Sequence, residues 1–126
     1  MSTSDLALLE RWVAHRDAEA FAELVRRHAS MVYATCRRVL GPNPGAEDVS
    51  QECFAEAAQL ANMSRINSLG GWLHTVATRR ALNRIRAEER RRRREQRYAE
   101  ESRSHAKVEP DDVQAYLDEA IAALPE

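Results

Sequence analysis

Lysine is almost missing from this chain of 126 residues; Lys107 stands alone, and the other basic side chains are arginines. Cysteine is scarce too. Cys36 and Cys53 lie inside helical patterns without a CxxC spacing, so a disulfide framework or a zinc site is not expected and buried structural thiols are. His15, His28, His74 and His105 show no ligand spacing, so no metal and no cofactor are expected. Four glycines and four prolines are too few for a fibrous or disordered chain. No run approaches the roughly 18 apolar residues of a membrane span, and "MSTSDLALLERW" lacks a basic segment followed by an apolar one. The expectation is a cytoplasmic protein without membrane insertion. Glycine-rich phosphate loops and nucleophile–base motifs are absent as well, which speaks against an enzyme.

What is present is apolar periodicity and segregated charge. Apolar residues make up 44% of the chain and charged ones 31%, enough for one modest domain. From Arg79 to Arg97 there are ten arginines against three glutamates, a local charge of +7. The remainder carries nine basic and seventeen acidic residues, or −8. A near-neutral protein organised this way has a positive pole.

The periodicity predicts an all-α protein, a compact bundle of about four helices with a long projecting basic helix and a C-terminal linker helix. "SDLALLERWVAH" places Leu6, Leu9 and Val13 on one face behind Ser4 or Asp5 as cap. Asp17 is the expected N-cap of a second helix, whose apolar positions Phe21, Leu24, Val25, His28, Val32, Cys36, Val39 and Leu40 recur at three and four residues. "GPNPG" ends it. A third helix is expected from about Pro44 to Ala61, with Val49, Cys53, Ala57 and Leu60 inward and Asp48, Gln51, Glu52 and Glu56 outward. After the polar break "NMSRINSLGG", capped by Asn67 or Ser68, a fourth helix has the inner stripe Leu69, Leu73, Val76, Ala77, Ala81 and Ile85. Beyond Ile85 nothing larger than alanine is apolar until Tyr98, so a continuing helix has nothing to bury. Residues 1–97 therefore read as the helical domain, 98–109 as a polar linker, and 110–126 as an amphipathic helix of Val113, Tyr116, Leu117, Ala120, Ile121 and Leu124.

Arg79, Asn83, Arg86, Arg90, Arg93 and Arg97 follow steps of 4, 3, 4, 3 and 4, which keeps them on one helical face turned from the apolar stripe. Guanidinium forks match phosphates and base acceptors, and an Asn amide both gives and accepts hydrogen bonds on a base edge. The alternative is a solvated helix pairing with its own acids, but three glutamates cannot neutralise ten arginines. An acidic protein partner also fits the charge.

In order, "DAEAFAELVRRHASMVYATCRRVLG", "AEDVSQECFAEA" and "SLGGWLHTVATRRALNRIRAEERRR" resemble region 2 of bacterial RNA polymerase sigma factors of the extracytoplasmic-function (ECF) class. The resemblance covers residues 5 to 97 and implies a transcription initiation factor, not an enzyme. The helix with "EDVSQECF" would dock on the clamp coiled coil of the largest subunit of core RNA polymerase through Asp48, Gln51 and Glu52, flanked by Phe54. The loop "ANMSRINS" would shape a pocket for a base flipped from the non-template strand of promoter DNA, formed around Asn62, Met63, Ser64, Arg65 and Asn67. On the following helix the resemblance points to Arg79, Asn83 and Arg86 on bases, with Arg80 and Arg84 on the DNA backbone. Trp72 would either stack on an unpaired base or pack at the helix start, packing being favoured because Leu69 and Val76 face inward. An anti-sigma factor is a further partner the family implies. The chain departs from the pattern at Arg79, where many members carry Asn. The arginines from Arg90 to Arg97 exceed what the pattern requires; upstream DNA and an acidic regulator both fit them. "LDEAIAALPE" resembles the start of the second sigma domain, so a truncated piece of a longer protein is expected. The competing reading is a helical protein-interaction module that never touches DNA.

Overall fold

The computed structural model describes residues 3–106 and Ala122. Four helices follow one another: α1 (Asp5–His15), α2 (Ala18–Leu40), α3 (Ala46–Ala58) and α4 (Leu69–Ala106). Among the described residues the fold is all-α. The chain divides into one unit of residues 1–87 and another of 88–126.

The first unit is a helical bundle whose local starts and stops come from side-chain caps. Ser4 Oγ accepts from the Ala7 N–H at the start of α1, and Asp17 Oδ1 accepts from Glu19 and Ala20 at the start of α2. Each satisfies donors a helix leaves open in its first turn. Between them Arg16 adopts the left-handed backbone, φ 50°, and closes α1 through its N–H to the Trp12 carbonyl. Asp17 also receives the Arg11 guanidinium at 2.6 Å, which ties the corner shut.

One core runs through the bundle. Leu8 and Leu9 of α1, Leu24, Val32, Cys36 and Leu40 of α2, Val49 and Cys53 of α3, and Leu73, Val76, Ala77 and Ala81 of α4 are buried in a single cluster. In α1 the deepest positions are Leu8 and Leu9, while Leu6 and Val13 are only partly buried. The expected stripe of Leu6, Leu9 and Val13 is thus rotated, because adjacent residues straddle the contact with α2. The inner stripe of α4 stands as expected from Leu69 to Ala81, with Ile85 at its partly buried end.

α3 is shorter than the span from Pro44 to Ala61. Gly45, at φ 111°, is its N-cap, and the chain leaves helical geometry at Gln59. Such a positive φ is open to glycine and strained for other residues. A Cβ there would also lie 2.8 Å from the Arg84 guanidinium carbon, so this glycine is needed twice.

In the second unit, α4 carries on through Tyr98 and Arg103 to Ala106, across most of the stretch read as a polar linker. No glycine or proline interrupts it, and glutamate, alanine and arginine favour helix. None of its described side chains past Ala87 is buried, and Tyr98 is 73% exposed. The amphipathic segment 110–126 lies outside the described residues apart from Ala122.

Candidate nucleic-acid interface

The loop between α3 and α4 is anchored at both ends. Its upstream end is the α3 C-terminus, where the Ala58 carbonyl accepts from Trp12 Nε1 at 3.0 Å and from Arg16 Nη1 at 2.9 Å. Arg16 lies over the Trp12 ring at 5.0 Å, so one cation–π pair holds the last turn of α3 from α1. At the downstream end Ser68 Oγ accepts from the Gly71 N–H and caps α4; Asn67, the other candidate, stays exposed. Within the loop Asn62 Oδ1 accepts from both the backbone N–H and the hydroxyl of Ser64, an Asx turn. Ile66 is buried and its N–H bonds the Met63 carbonyl.

The five predicted loop residues therefore divide. Asn62 and Ser64 shape the turn, Met63 packs against the core, and Arg65 and Asn67 are exposed. Ile66 does the anchoring and was missed, although a lone β-branched residue in a polar break is the signal that marks such a pin. Trp72 is half-buried against the core, as favoured.

The outer face of α4 forms a shallow groove of about 400 Å³ lined by His74, Thr75, Thr78, Arg79, Leu82, Asn83 and Arg86. Arg79, Asn83 and Arg86 thus come together as the periodicity predicted. Sequence reasoning missed their neighbours. Thr75 and Thr78 donate their hydroxyl protons to the carbonyls four residues back, at 3.1 and 2.9 Å, leaving these oxygens as acceptors only. Leu82 adds an apolar surface, 39% exposed.

Between α3 and α4 runs a ladder of ion pairs. Glu56 sits under two guanidinium groups: Arg79 Nη2 reaches both its oxygens at 2.9 and 2.7 Å, and Arg80 donates to Oε1 from Nη2 at 2.7 Å and from Nε at 3.2 Å. Arg80 Nη1 lies 3.5 Å from Glu52, and Arg84 Nη2 lies 3.8 Å from Asp48. Asp48, Glu52 and Glu56 are spaced by four on α3, and Arg80 and Arg84 by four on α4, so the rungs run antiparallel. Burial alone would raise the Glu56 carboxyl; the hydrogen bonds from Arg80 and Arg79 outweigh it and hold the pKa below the ordinary glutamate value. The same contact raises Arg80.

This corrects the expected outward direction of Glu56, which turns onto α4 because two cations await it there. Its two neighbours stay available: the side chains of Asp48 and Glu52 keep 69% and 49% of their exposure. Gln51 is exposed and Phe54 is half-buried against the core. A hollow of about 290 Å³ at the ladder is lined by Glu52, Arg79, Arg80, Asn83 and Arg84. Glu56 therefore holds Arg79, which the periodicity offered to DNA, and shares with Glu52 Arg80, which the resemblance placed on the DNA backbone.

Cys36 and Cys53 are free and buried. Burial first, then the neighbouring Cys36 thiol, pushes the Cys53 pKa up to about 12, so it stays protonated and inert at neutral pH. Among the described residues no cluster of His, Cys, Asp and Glu fits a metal ion, and no helix is long and apolar enough to cross a membrane.

Comparison with known proteins adds the family. Residues 24–91 match the model of Sigma-70 region 2. The ECF RNA polymerase sigma factor SigK of Mycobacterium sp. (strain KMS) is 40% identical over 98 residues, covering 76% of this chain and 51% of the relative. SigK of Mycobacterium tuberculosis (strain ATCC 25177 / H37Ra) is 40% identical over 100 residues, 76% of this chain and 52% of its own length. This chain spans about half the length of the curated relatives it matches. No solved structure matches it. With α2 from Leu24, all of α3, the anchored loop and the arginine-bearing groove of α4 inside the matched residues, this chain belongs to the sigma-70 region 2 family and carries a region 2 domain of the ECF type.

Proposed function

We propose that this chain is the promoter-opening part of a transcription initiation factor, a non-enzymatic subunit that joins core RNA polymerase and captures the non-template strand of the minus-ten element in the cytoplasm. The observation that carries this reading is the groove on α4, where Arg79, Asn83 and Arg86 converge with Leu82 in a matched sigma region. Guanidinium groups and an amide supply base-edge and phosphate contacts, and Leu82 covers an apolar base face. The loop from Asn62 to Asn67, pinned by Ile66 and Ala58, offers the place for an extruded base. Extrusion costs a few kcal/mol, which a preformed pocket partly offsets. The chemistry is strand capture; the polymerase holds the catalytic site.

Docking uses Asp48, Gln51 and Glu52 with Phe54 beside them, facing basic residues on the clamp coiled coil. Basic groups arriving there compete with Arg84 and Arg80 for the same carboxylates, which releases guanidinium donors toward DNA. An anti-sigma factor covering this face would block both steps. The test is capture of core RNA polymerase by the full chain, compared with Asp48→Arg combined with Glu52→Arg. The reversal is expected to lose capture while the circular dichroism spectrum keeps its helicity. Undiminished capture by the folded variant rejects the docking assignment. No capture by the unaltered chain, folded and at moderate salt, rejects the sigma reading.

A further inference from the structure

The arginines beyond Ala87 are not one uniform charge. Arg91 is paired with Glu88 at 2.9 Å and with Glu95 at 3.7 Å. Arg92 also has an interaction. By contrast, Arg90, Arg93, Arg94 and Arg97 have no hydrogen bond or ion pair among the described residues, and all four are exposed. Their positions, i, i+3, i+4 and i+7, gather them on one face of α4, while Glu88 and Glu95 lie on the opposite face. Glu88 and Glu95 neutralise the face they share with Arg91; Glu89 and Glu100 border the other face without an ion pair to it, and that face keeps four charges within roughly 10 Å of helix rise. Glu101 falls on the same line and ends it.

We propose that this stripe is a sequence-independent binding surface for the phosphate backbone of duplex DNA. Three features select that partner. Each side chain is a guanidinium fork that matches phosphate oxygens. The face carries no apolar anchor, which a stable protein interface needs at its centre. It carries no row of aromatic rings either, the stacking platform that holds single strands; exposed Tyr98 stands at the edge of the stripe, four residues on from Arg94, as a single ring. A duplex presents about one phosphate per 1.7 Å of axis, so several lie within the length of the stripe. None of the four lines the groove at Arg79, Asn83 and Arg86, and the inference does not depend on that groove reading bases.

The experiment titrates the full chain with a mixed-sequence duplex of roughly three helical turns and follows anisotropy between ~50 and ~200 mM salt. Arg90→Ala, Arg93→Ala, Arg94→Ala and Arg97→Ala together are expected to flatten the slope of log affinity against log salt by about 3.6, some 0.9 per phosphate contact. Arg91→Ala with Arg92→Ala is the control and is expected to change the slope by less than about 1. Alanine favours helix, and circular dichroism verifies that α4 persists. An unchanged slope in the quadruple variant overturns the proposal, as does an equal loss per arginine in the control. A glutamate-rich peptide bound more tightly than the duplex, and lost in the quadruple variant, overturns it in favour of an acidic protein partner. Capture of core RNA polymerase by the same variant is measured in parallel. Loss of the slope with capture retained separates this surface from the sigma reading itself.

Discussion

Arg79, Arg80 and Arg84 on one stretch of α4, and Arg90, Arg93, Arg94 and Arg97 on another, are the same residue in the same secondary structure with opposite electrostatic roles. The first three face Asp48, Glu52 and Glu56 on α3 and form a ladder of no net charge. The second four form no ion pair among the described residues. What separates them is whether a neighbouring helix presents carboxylates at a matching spacing of four. A count of arginines therefore overstates the available positive surface, and the ladder arginines reach a phosphate only in competition with their own acids.

The comparison breaks most severely if the platform beneath the ladder is removed. Leu73 is 1% exposed and belongs to the core shared by all four helices. Leu73→Ala is expected to cost about 3 kcal/mol in denaturant unfolding. The duplex-binding slope assigned to Arg90 to Arg97 is expected to survive wherever helix α4 does.

A sharper cut is Glu56→Gln, which keeps the shape of the side chain and removes the charge between Arg79 and Arg80. The loss is expected at about 1 kcal/mol, since the pair is partly solvated. Glu88→Gln adds the same charge elsewhere on the chain and is expected to leave the denaturation midpoint almost unmoved. Both variants gain one positive charge. A larger rise in single-strand affinity for Glu56→Gln than for Glu88→Gln identifies the ladder as a restraint on its arginines; an equal rise shows that only net charge matters.

Acid gives the same contrast without a new variant. Because the folded pKa of Glu56 lies below the ordinary glutamate value of 4.5, its contribution to stability is present above that value. It disappears as pH falls through the lower, folded value. The stability difference between the native chain and Glu56→Gln is thus expected to be flat near neutrality and to shrink below about pH 4.5. A difference that persists at lower pH removes the ion pair as its cause.

Smaller effects belong to single arginines of the groove. Arg86→Ala is expected to reduce the single-strand salt slope by about 0.7, the value of one lost phosphate contact. Arg79→Ala is expected to reduce it by less, because that guanidinium is already shared with Glu56. Equal reductions mean that Arg79 leaves Glu56 when DNA binds. Smallest of all, Arg91→Ala removes exposed pairs within one helix and is expected to shift stability by about 0.3 kcal/mol.

Much of this was legible in the residues themselves. Asp17 as a cap, Ser68 before α4 and the stripe from Leu69 to Ala81 are local patterns, set by hydrogen bonds and periodicity within a few residues. The groove of Arg79, Asn83 and Arg86 was legible for the same reason. The extent of α4 past Tyr98 was not, because a polar stretch without an apolar stripe reads equally as solvated helix or linker. In α1 the sequence singled out Leu9, but whether Leu8 or Leu6 and Val13 are buried beside it depends on the angle at which α2 crosses, which one helix cannot specify.

By itself, the order of residues determined that the chain is helical, where α1, α2 and α4 begin, which face of α4 is buried and that positive charge concentrates from Arg79 to Arg97. Tertiary structure decided the direction of Glu56, the anchoring of the Ala58 carbonyl by Trp12 and Arg16, and the division of arginines into paired and unpaired. Helical periodicity is a property of neighbours three and four apart, whereas an ion pair between Glu56 and Arg80 spans 24 residues and forms only when packing brings two helices within reach.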